Sequence, residues 1–562
     1  MSCFSIVRLP AYFALGGALL LACSVGPLDA PPPVDASAPP PPPPSPSLDG
    51  GASENVWDLV RDYGMVAEDA KPAMDRALAA AAAHLASAPE TSLVLFIPAG
   101  TWTFHHPTTP AIDVAGLRAG RLVIRGAGAD QTALVFDQFD QFGVLLTNAH
   151  GVTLESVHLT RPGIYTTQGD VTAVTPGRIR FAVHPGFPDP IPLVEAKNAL
   201  DNDRTLIRFR GSLSDPELAP NSVSYKMCPG KGGDRCEHPI LDLGGGNYEA
   251  ILEDPAELAD LAVGDSVALK AKAGSQTLRA EDCDDLTVRD VLFTRHAAVS
   301  LSVQGASNRT LIERVRIERA PAIGGRVPFF SGPGGGPQVT ADRDGPTIRG
   351  CLIVGTTDDA VAVFSNDARA PMRGARIEGN TIRDGQGRGI NITQSSDGEC
   401  VGNTIIRCQN PSIQLKSNQT AEGTQASVVR WTVSRNRFVQ PWTDPTIFLT
   451  QENSVTTSGR HDEIDIGFNI IEQAAKNNPF LHVRNTDDVR VHDNVIESFS
   501  DEEDVRGKSL PRPPEPMPLV FVEDAAAVSG AGNLCKVATL RPAFTADPKN
   551  AGTVVLSWAT SP

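Results

Sequence analysis

One six-residue pattern recurs along the chain and constrains the fold more than any other feature. An apolar residue is followed three positions later by Val, Cys or Asn, and two positions after that by a second apolar residue. The copies are LESVHL (154–159), VRDVLF (288–293), IERVRI (312–317), IRGCLI (348–353), IEGNTI (377–382), VGNTII (401–406), VSRNRF (433–438), IGFNII (466–471) and VHDNVI (491–496). From the second copy onward the central residues lie at 291, 315, 351, 380, 403, 436, 469 and 494, which gives steps of 24, 36, 29, 23, 33, 33 and 25 residues. A minimum step near 23 with variable additions is typical of stacked coils that carry loop insertions.

The repeat predicts an all-β fold, a right-handed parallel β-helix. Within each copy the apolar residues alternate or nearly alternate, which is the period of a strand. One coil is too thin to bury its own apolar face, so neighbouring coils must share a continuous core.

Asparagine occupies the central position in five consecutive copies, at 380, 403, 436, 469 and 494. We expect these side chains to form a ladder of hydrogen-bonded amides at a bend, because stacked amides satisfy one another's donors and acceptors. The alternative is a set of exposed turn asparagines.

Composition shifts divide the chain into parts. Residues 55–167 form the first part of the β-helix, and the Ala-rich segment EDAKPAMDRALAAAAAHLA is predicted to be a helix that covers the open end of the core. The repeat is absent from residues 168–280, where short strands and turn signals predict an inserted region of one or two small β-barrels. Residues 281–500 resume the β-helix, and residues 501–562 are a cap or a tail.

The N-terminus predicts export. Arg8 precedes the apolar run Tyr12–Ala22, which is too short to span a bilayer, so residues 1–23 are interpreted as a signal peptide. The run ends in LLAC, which resembles a bacterial lipobox, and Cys23 would become the lipidated N-terminus of an outer-membrane or cell-surface lipoprotein. The alternative is an ordinary signal peptide. Residues 24–54 are rich in proline and form an extended spacer.

The charge balance limits the partners. The formal net charge is −17, which disfavours nucleic acid and anionic lipid headgroups as ligands. The membrane would therefore be contacted through the lipid anchor only. The sequence contains no zinc motif, phosphate-binding loop or Ser-His-Asp order, and we predict no cofactor and no metal.

Cys228 and Cys236 flank a Gly-rich loop in CPGKGGDRC. In an exported protein this spacing predicts a local disulfide. Metal ligation is the less favoured interpretation, because no second Cys/His pair lies nearby.

Asp358 and Asp359 open a strand-like segment in VGTTDDAVAVFSND (354–367). Two carboxyl groups on one wall are what glycoside hydrolysis requires, since one protonates the leaving oxygen and the other activates water or attacks the sugar. The structural alternative is an Asx-turn or a set of calcium ligands at a coil corner. Asp284-Asp285 and Asp487-Asp488 also precede strands, which strengthens that alternative.

Other polar residues could share a groove with the aspartate pair. If coils stack in register, Arg388 and Lys416 would lie roughly 5 and 10 Å away, one and two coils later. They would bind substrate hydroxyls or a carboxylate; the alternative for both is an ordinary surface charge, and for Lys416 that alternative is favoured. His296, Gln304 and Arg326 belong to earlier coils and are weaker candidates for the same groove.

Longer segments resemble known families. VRDYGMVAEDAKPAMDRALAAAAAH with LVLFIPAGTW, and LVIRGAGADQTALVFD, resemble the N-terminal signature of the pectate-lyase-like β-helix superfamily. GPTIRGCLIVGTTDDAVAV and GQGRGINIT, together with the inserted region, resemble glycoside hydrolase family 110, the exo-acting α-1,3-galactosidases. DDAVAV, GRGINI and IQLK are also similar, more weakly, to the polygalacturonases, with Arg388 where those enzymes would have a histidine.

The resemblance implies an inverting hydrolase without a cofactor, with an oligo- or polysaccharide substrate that could end in an α-galactoside. It implies that Asp358 and Asp359 are the acid and base, with a third aspartate about one coil upstream. SGPGGGPQ (331–338) has no carboxylate there, and the nearest are Asp342 and Asp344, of which Asp342 is the candidate. The alternatives are a Ca²⁺-dependent polysaccharide lyase or epimerase, and a non-catalytic glycan-binding surface protein.

Overall fold

The computed structural model describes most of the chain after residue 54. The described residues are 55–195, 205–209, 222–227, 239–252, 261–270, 274–340, 343–365, 372–419, 425–441, 445–451, 460–474, 479–499, 518–536, 544–546 and 553–560. Several sequence predictions lie outside them: the signal peptide with Cys23, the Pro-rich spacer, the pair Cys228 and Cys236, the candidate Asp342 and much of the C-terminal part.

The chain winds into stacked coils, each of which contributes a strand to three parallel walls. Wall 1 consists of β4 (Ile112–Ala115), β7 (Val144–Thr147), β17 (Leu278–Glu281), β20 (Leu301–Gln304), β23 (Pro337–Thr340), β26 (Val361–Phe364), β30 (Ile390–Thr393), β33 (Ile413–Gln419), β37 (Ile447–Gln451), the first part of β40 (Leu481–His492), the first part of β42 (Val520–Cys535), and β43 (Phe544–Ala546). Wall 2 consists of β1 (Asn55–Asp58), β2 (Ser92–Ile97), β5 (Arg121–Gly126), β8 (Val152–Glu155), β18 (Thr287–Arg289), β21 (Leu311–Glu313), β24 (Thr347–Arg349), β28 (Arg376–Glu378), β31 (Ser395–Val401), β35 (Val429–Ser434), β38 (Asp462–Gly467), the later parts of β40 and β42, and β44 (Thr553–Thr560). Wall 3 consists of β3 (Gly100–Phe104), β6 (Thr132–Phe136), β9 (His158–Thr160), β19 (Leu292–Phe293), β22 (Arg316–Ile317), β25 (Leu352–Val354), β29 (Thr381–Arg383), β32 (Thr404–Ile406), β36 (Arg437–Val439), β39 (Ile470–Glu472) and β41 (Val495–Ile496).

Two short strands accompany the walls. β27 (Met372–Arg373) pairs with the start of β31, and β34 (Gln425–Ala426) pairs antiparallel with the end of β33.

The coils stack in register, so that equivalent side chains form columns along the axis. On wall 1, Val363 of β26 pairs with Ile392 of β30, which pairs with Leu415 of β33. All three are fully buried and belong to one continuous core that runs through the coils. Alternation along each strand therefore directs the intervening residues of wall 1 outward.

Two helices lie at the N-terminal end of the coils, α1 (Leu59–Tyr63) and α2 (Lys71–Ser87). The Ala-rich sequence of α2 favours a helix, and its buried face, which includes Ala77, Ala81 and Leu85, joins the same core as the coils. This helix is the one predicted to cover the open end. None of the helices in the described parts of the chain is long and apolar enough to cross a membrane.

The predicted asparagine ladder is confirmed. Asn380, Asn403, Asn436, Asn469 and Asn494 are fully buried, and the Nδ2 of each donates to the Oδ1 of the next at 2.9–3.1 Å. Asn494 continues the ladder to Asn533, at 3.0 Å, which the sequence pattern did not include. Each Nδ2 also donates to a main-chain carbonyl of the preceding coil, so the buried amides are satisfied.

The ladder lies at the turn between wall 2 and wall 3, which we name the Asn corner. The residue before each asparagine from 380 to 494 adopts a left-handed conformation, with φ between 53° and 66°, whether it is Gly379, Gly402, Arg435, Phe468 or Asp493. The six-residue pattern is thus two short strands separated by one left-handed residue and one buried residue, which is Val or Cys in the earlier copies and Asn from 380 onward.

The inserted region is a seven-stranded antiparallel sheet with its own hydrophobic core. Its strands, in spatial order, are β13 (Ser222–Lys226), β12 (Thr205–Phe209), β16 (Ser266–Lys270), β10 (Thr167–Thr175), β11 (Arg178–Val183), β15 (Asn247–Ile251) and β14 (Ile240–Gly244). Helix α3 (Pro190–Glu195) packs beside β14. The prediction was one or two barrels, and among the described residues this is one sheet whose edge strands do not pair with each other.

The inserted sheet packs on the coils at the long turn of residues 318–336. Phe209 of β12 contacts Phe329, with ring centroids 4.3 Å apart, and both belong to a small apolar cluster with Phe330. Gln168 binds the same turn twice, because its Nε2 donates to the Val327 carbonyl and its Oε1 accepts from the Phe329 N–H. This turn belongs to the coil immediately before the aspartate pair.

Candidate active site

Asp358 and Asp359 lie at the turn between wall 3 and wall 1, which we name the Asp corner. The turn occupies residues 355–360, between β25 and β26. Thr356 and Thr357 are buried, and the Thr357 N–H donates to the Gly334 carbonyl of the preceding coil at 3.2 Å. The pair therefore sits at the bend where a strand of wall 1 begins.

Asp359 is held by the next coil. Its side chain is 8% exposed, and its Oδ1 accepts hydrogen bonds from the Arg388 N–H at 3.2 Å and from the Arg388 Nη1 at 3.1 Å. Its Oδ2 accepts from the Asn391 Nδ2 at 2.8 Å. Hydrogen bonds to a charged donor are stronger than neutral ones, so this carboxylate is fixed in position and orientation.

Stacking in register explains this contact. Asp359 precedes Val361 by two positions, and Arg388 precedes Ile390, the partner of Val361, by two positions. In the next coils the equivalent positions are Pro411 and Pro445. The charge pair therefore exists at one level of the Asp corner and does not continue along the axis.

Asp358 has a different environment from Asp359. It is half-buried, and its Oδ1 accepts the Asp359 N–H at 2.9 Å. This bond stabilises the bend, which is the structural role that the sequence left open. The two adjacent carboxyl groups are therefore not equivalent: one is buried against Arg388 and the other is closer to solvent.

Glycines occupy the positions stacked before Asp359 and Ala360. A Cβ on Gly335 would lie 2.5 Å from the Asp359 carbonyl oxygen, and a Cβ on Gly336 would press into the Ala360 carbonyl oxygen. The close approach of the two coils requires glycine at these positions. Neither position can supply the third aspartate that the family resemblance implies.

The remaining carboxylate near this coil lies elsewhere. The backbone of Asp344 forms an isolated parallel β-bridge with that of Arg373 at the turn between wall 1 and wall 2. The Asp344 Oδ2 is 3.5 Å from the Arg309 Nη1. Its side chain is 67% exposed. Asp344 is therefore at the far end of the wall 1 strand from Asp359.

His296 lies inside the coils and not beside the aspartate pair. His296 is fully buried, with its Nδ1 2.5 Å from the Ala298 carbonyl oxygen and its Nε2 3.1 Å from the Ser331 Oγ. Burial lowers the pKa of His296 to about 4, so the ring is neutral at pH 7 and supports the Asp corner from inside. This corrects the expectation that His296 lines the groove.

Lys416 is on wall 1 but far from the pair along the strand. It stacks on Thr393 of β30, five positions further along the strand than Arg388. At the rise of a strand this is about 16 Å, in addition to the separation between coils. The expected distance of about 10 Å from the aspartates is therefore too short.

Gln304 and Arg326 lie on the upstream side. The Gln304 Nε2 donates to the Ser302 Oγ at 2.9 Å, and its Oε1 accepts from the Arg279 Nη2 at 3.2 Å, two coils before the pair on wall 1. The Arg326 Nη2 is 3.7 Å from the Asp170 Oδ2 of the inserted sheet. The structure thus unites Asp358, Asp359 and Arg388, and leaves His296, Gln304, Arg326 and Lys416 at separate places.

Sequence reasoning missed the outward-facing column of wall 1 that begins at Asn391. The paired residues of the following coils are Gln414, Phe448, His482 and Phe521. Each is the second residue of an apolar–x–apolar strand segment, so the strand alternation was the signal that could have identified them. Among the described residues no three His, Cys, Asp or Glu side chains are grouped so that they could hold a metal ion.

Several solved structures are similar to this chain. The catalytic unit of a GH87 α-1,3-glucanase from Streptomyces thermodiastaticus is 14% identical, with 92% of this chain and 70% of that chain covered and a TM-score of 0.49. A family 28 exopolygalacturonase from Yersinia enterocolitica is 10% identical, with 90% and 78% covered and a TM-score of 0.46. The surface adhesin PfbA of Streptococcus pneumoniae is 11% identical, with 87% and 93% covered and a TM-score of 0.43.

No curated protein sequence matches the chain. The family model that matches is described as the right handed beta helix region, and it covers residues 271–496. The fold predicted from the six-residue repeat, a right-handed parallel β-helix, is confirmed.

Proposed function

We propose that the protein is a glycoside hydrolase that cleaves a glycan linkage at the Asp corner, with Asp358 and Asp359 as its acid and base. The observation that carries the proposal is that Arg388 and Asn391 together donate three hydrogen bonds to the buried Asp359 carboxylate. The family resemblance of the segments around these residues supports an α-galactoside as the substrate. We also propose that the protein is exported and anchored through Cys23.

The two environments assign the two roles. Asp359 is an oriented hydrogen-bond acceptor and is suited to accept a proton from an attacking water. Asp358 is closer to solvent and is suited to protonate the leaving oxygen, although its bond to the Asp359 N–H must be kept or exchanged in the substrate complex. An inverting reaction requires the two carboxyl groups to lie on opposite sides of the scissile bond, about 6.5–9.5 Å apart.

Asp359→Asn is the test variant, and we expect it to lower turnover by about 10²–10⁴-fold. The wild type is assayed on α-linked galacto-oligosaccharides and on polygalacturonate, with released sugars separated by chromatography and the product anomer identified by proton NMR. Inversion of the anomeric configuration is the expected result.

Asp397→Asn is the matched control. Asp397 is also paired with an arginine of the following coil, Arg430 at 2.5 Å, but it lies on wall 2. We expect this variant to retain wild-type turnover. Equal turnover in the wild type and Asp359→Asn, or retention of the anomeric configuration, would contradict the proposed mechanism.

A second candidate is non-catalytic glycan binding. The observation that favours it is the presence of Gly334 and Gly335 beside the aspartate pair, where the family resemblance implies another acid. Binding of the same glycans without any turnover by the wild type would support this function instead.

A further inference from the structure

The outward column of wall 1 changes along the axis from amide side chains to aromatic side chains. Beside Asp359 it begins with the amides of Asn391 and Gln414, and it continues with Phe448, His482 and Phe521. The four steps from Asn391 to Phe521 span about 19 Å at the spacing of paired strands. The column therefore forms a stripe that starts at the proposed reacting bond and runs downstream.

The three rings form one stack on the outside of the coils. The ring centroids of Phe448 and His482 are 4.8 Å apart with an interplanar angle of 23°, and those of His482 and Phe521 are 4.9 Å apart with an angle of 59°. All three side chains are half-buried, so their outer edges reach solvent. Apolar side chains in such a place need a reason, because the hydrophobic core of the coils lies on the other face of the wall.

His482 is oriented by an acid of the following coil. Its Nε2 donates to the Glu523 Oε2 at 3.1 Å, and this hydrogen bond lowers the pKa of Glu523 below its ordinary value. The Arg484 Nε lies 3.8 Å from the same carboxylate oxygen. None of the described residues binds the Nδ1 of His482, and the side chain is 18% exposed. The ring is thus fixed with one nitrogen available to a ligand.

We infer that this column is the binding lane for the glycan chain downstream of the cleaved bond, with Phe448, His482 and Phe521 as its distal subsite. The inference rests on the proposed hydrolase function. Gln414 is 5% exposed, so the accessible groups of the lane are the half-buried Asn391 amide, which can bind a sugar hydroxyl, and the aromatic side chains, which contact the apolar C–H faces of sugar rings. One coil advances the lane by about 4.8 Å, which is comparable with the length of one sugar residue.

The lane sets the length of the substrate. His482 lies four coil steps, or about 19 Å, beyond the level of Asp359. A disaccharide cannot reach from the Asp corner to the rings, whereas an oligosaccharide of about five or more residues can, at one residue per coil step. Affinity should therefore increase with chain length until the distal subsite is filled.

His482→Ala is the test variant, measured with a series of α-linked galacto-oligosaccharides and a series of oligogalacturonides, each from two to eight units. For the wild type we expect kcat/KM to rise with length and to become constant once the rings are reached. For the variant we expect about a tenfold loss of kcat/KM on the long members, carried by KM, with no change on the disaccharide.

His492→Ala is the matched control. His492 is also bonded to carboxylates, with its Nε2 3.0 Å from the Asp465 Oδ1, and it also contacts a phenylalanine, Phe468 at 5.1 Å, but it lies on wall 2. We expect it to leave the length dependence unchanged.

The outcomes separate the two proposals. Turnover without length dependence, or an equal loss at every length in His482→Ala, overturns the lane and leaves the hydrolase in place. Absence of both turnover and binding across the two series overturns both. A length-dependent loss in His482→Ala that His492→Ala does not show supports the lane.

Discussion

The Asn corner and the Asp corner are two turns of the same coils, and they differ in how regularly their length and composition repeat. At the Asn corner each turn from Asn380 onward consists of one left-handed residue and one buried asparagine. At the Asp corner the turn is six residues long at 355–360 but nineteen at 318–336, and the inserted sheet leaves the coils at this corner, between β9 and β17. One corner fixes the stacking, and the other is therefore free to change its length and chemistry.

The hydrogen bonding of the two corners differs in the same way. The ladder repeats one contact through six coils, whereas Asp359 meets Arg388 at one level only and is followed by prolines at the equivalent positions. The repeated contact stabilises the stacking of the coils, whereas the contact of Asp359 with Arg388 is not required by that stacking.

The largest loss of stability is expected from a substitution in the buried ladder of the Asn corner. Asn436→Ala removes an amide that accepts from the Asn403 N–H and Nδ2 and donates to the Cys400 carbonyl. Because the partners stay buried without water, we expect the free energy of unfolding to fall by about 4 kcal/mol. Urea denaturation measures it.

Asn410→Ala is the comparison variant. Asn410 lies at the Asp corner, and its Nδ2 donates to the Gln386 carbonyl in an exposed place. We expect a change of less than about 0.5 kcal/mol, since water replaces the lost bond. Equal losses in the two variants would remove the distinction between the corners.

A smaller effect is expected from adding one methyl group at each corner. Gly336→Ala at the Asp corner places a Cβ against the Ala360 carbonyl, and we expect about 3 kcal/mol of destabilisation together with loss of turnover as the coils separate.

Gly379→Ala at the Asn corner has no heavy atom within 4 Å of the new Cβ. Its only cost is the left-handed conformation, about 1 kcal/mol. Arg435 and Phe468 already adopt that conformation in later coils. A greater loss of stability in Gly379→Ala than in Gly336→Ala, by thermal unfolding, would reverse the ranking.

The smallest expected effect is a fall in the free energy of unfolding at acidic pH, caused by two buried histidines. Burial lowers the pKa of His296, at the Asp corner, and of His461, at the turn between walls 1 and 2, to about 4 in each case. The unfolded chain binds these protons near pH 6.5, so stability is present above that pH and is lost as the pH falls toward 4. We expect about 1 kcal/mol of loss per histidine between pH 7 and pH 5.5.

The measurement is urea denaturation at several pH values for the wild type and for His461→Gln. The variant should show a smaller fall of the unfolding free energy between pH 7 and pH 5.5, whatever its stability at pH 7. The same slope in both proteins would show that His461 does not titrate on unfolding.

The Asn corner could be predicted because it repeats. Asn380 to Asn494 share one place in the six-residue pattern, and stacking follows from the period alone. Asn533 was missed because Gly530 stands where the pattern has an apolar residue. The structure explains this glycine, since a Cβ there would press into the Val491 carbonyl oxygen.

The site was only partly predictable, because counting coils gives the level of a residue but not its place along the strand. Arg388 and Lys416 belong to neighbouring coils, yet Arg388 precedes its wall 1 strand and Lys416 is the fourth residue of its own. The hydrogen bond from Asn391 to Asp359 joins side chains of neighbouring coils at different positions along the strand. The spacing of the residues in the sequence does not predict such a contact. The burial of His296 depends on the long turn that contains Ser331.

The asparagine ladder also gives the coil stack an electrical direction. From Asn380 to Asn494, one N–H of each ladder amide points toward the next, C-terminal coil, and the amide oxygen that receives it points back. Six parallel amide dipoles add together and polarise one another, as peptide dipoles do in an α-helix. The C-terminal end of the ladder therefore carries a partial positive charge inside an acidic protein, and reversing one amide would oppose all the others.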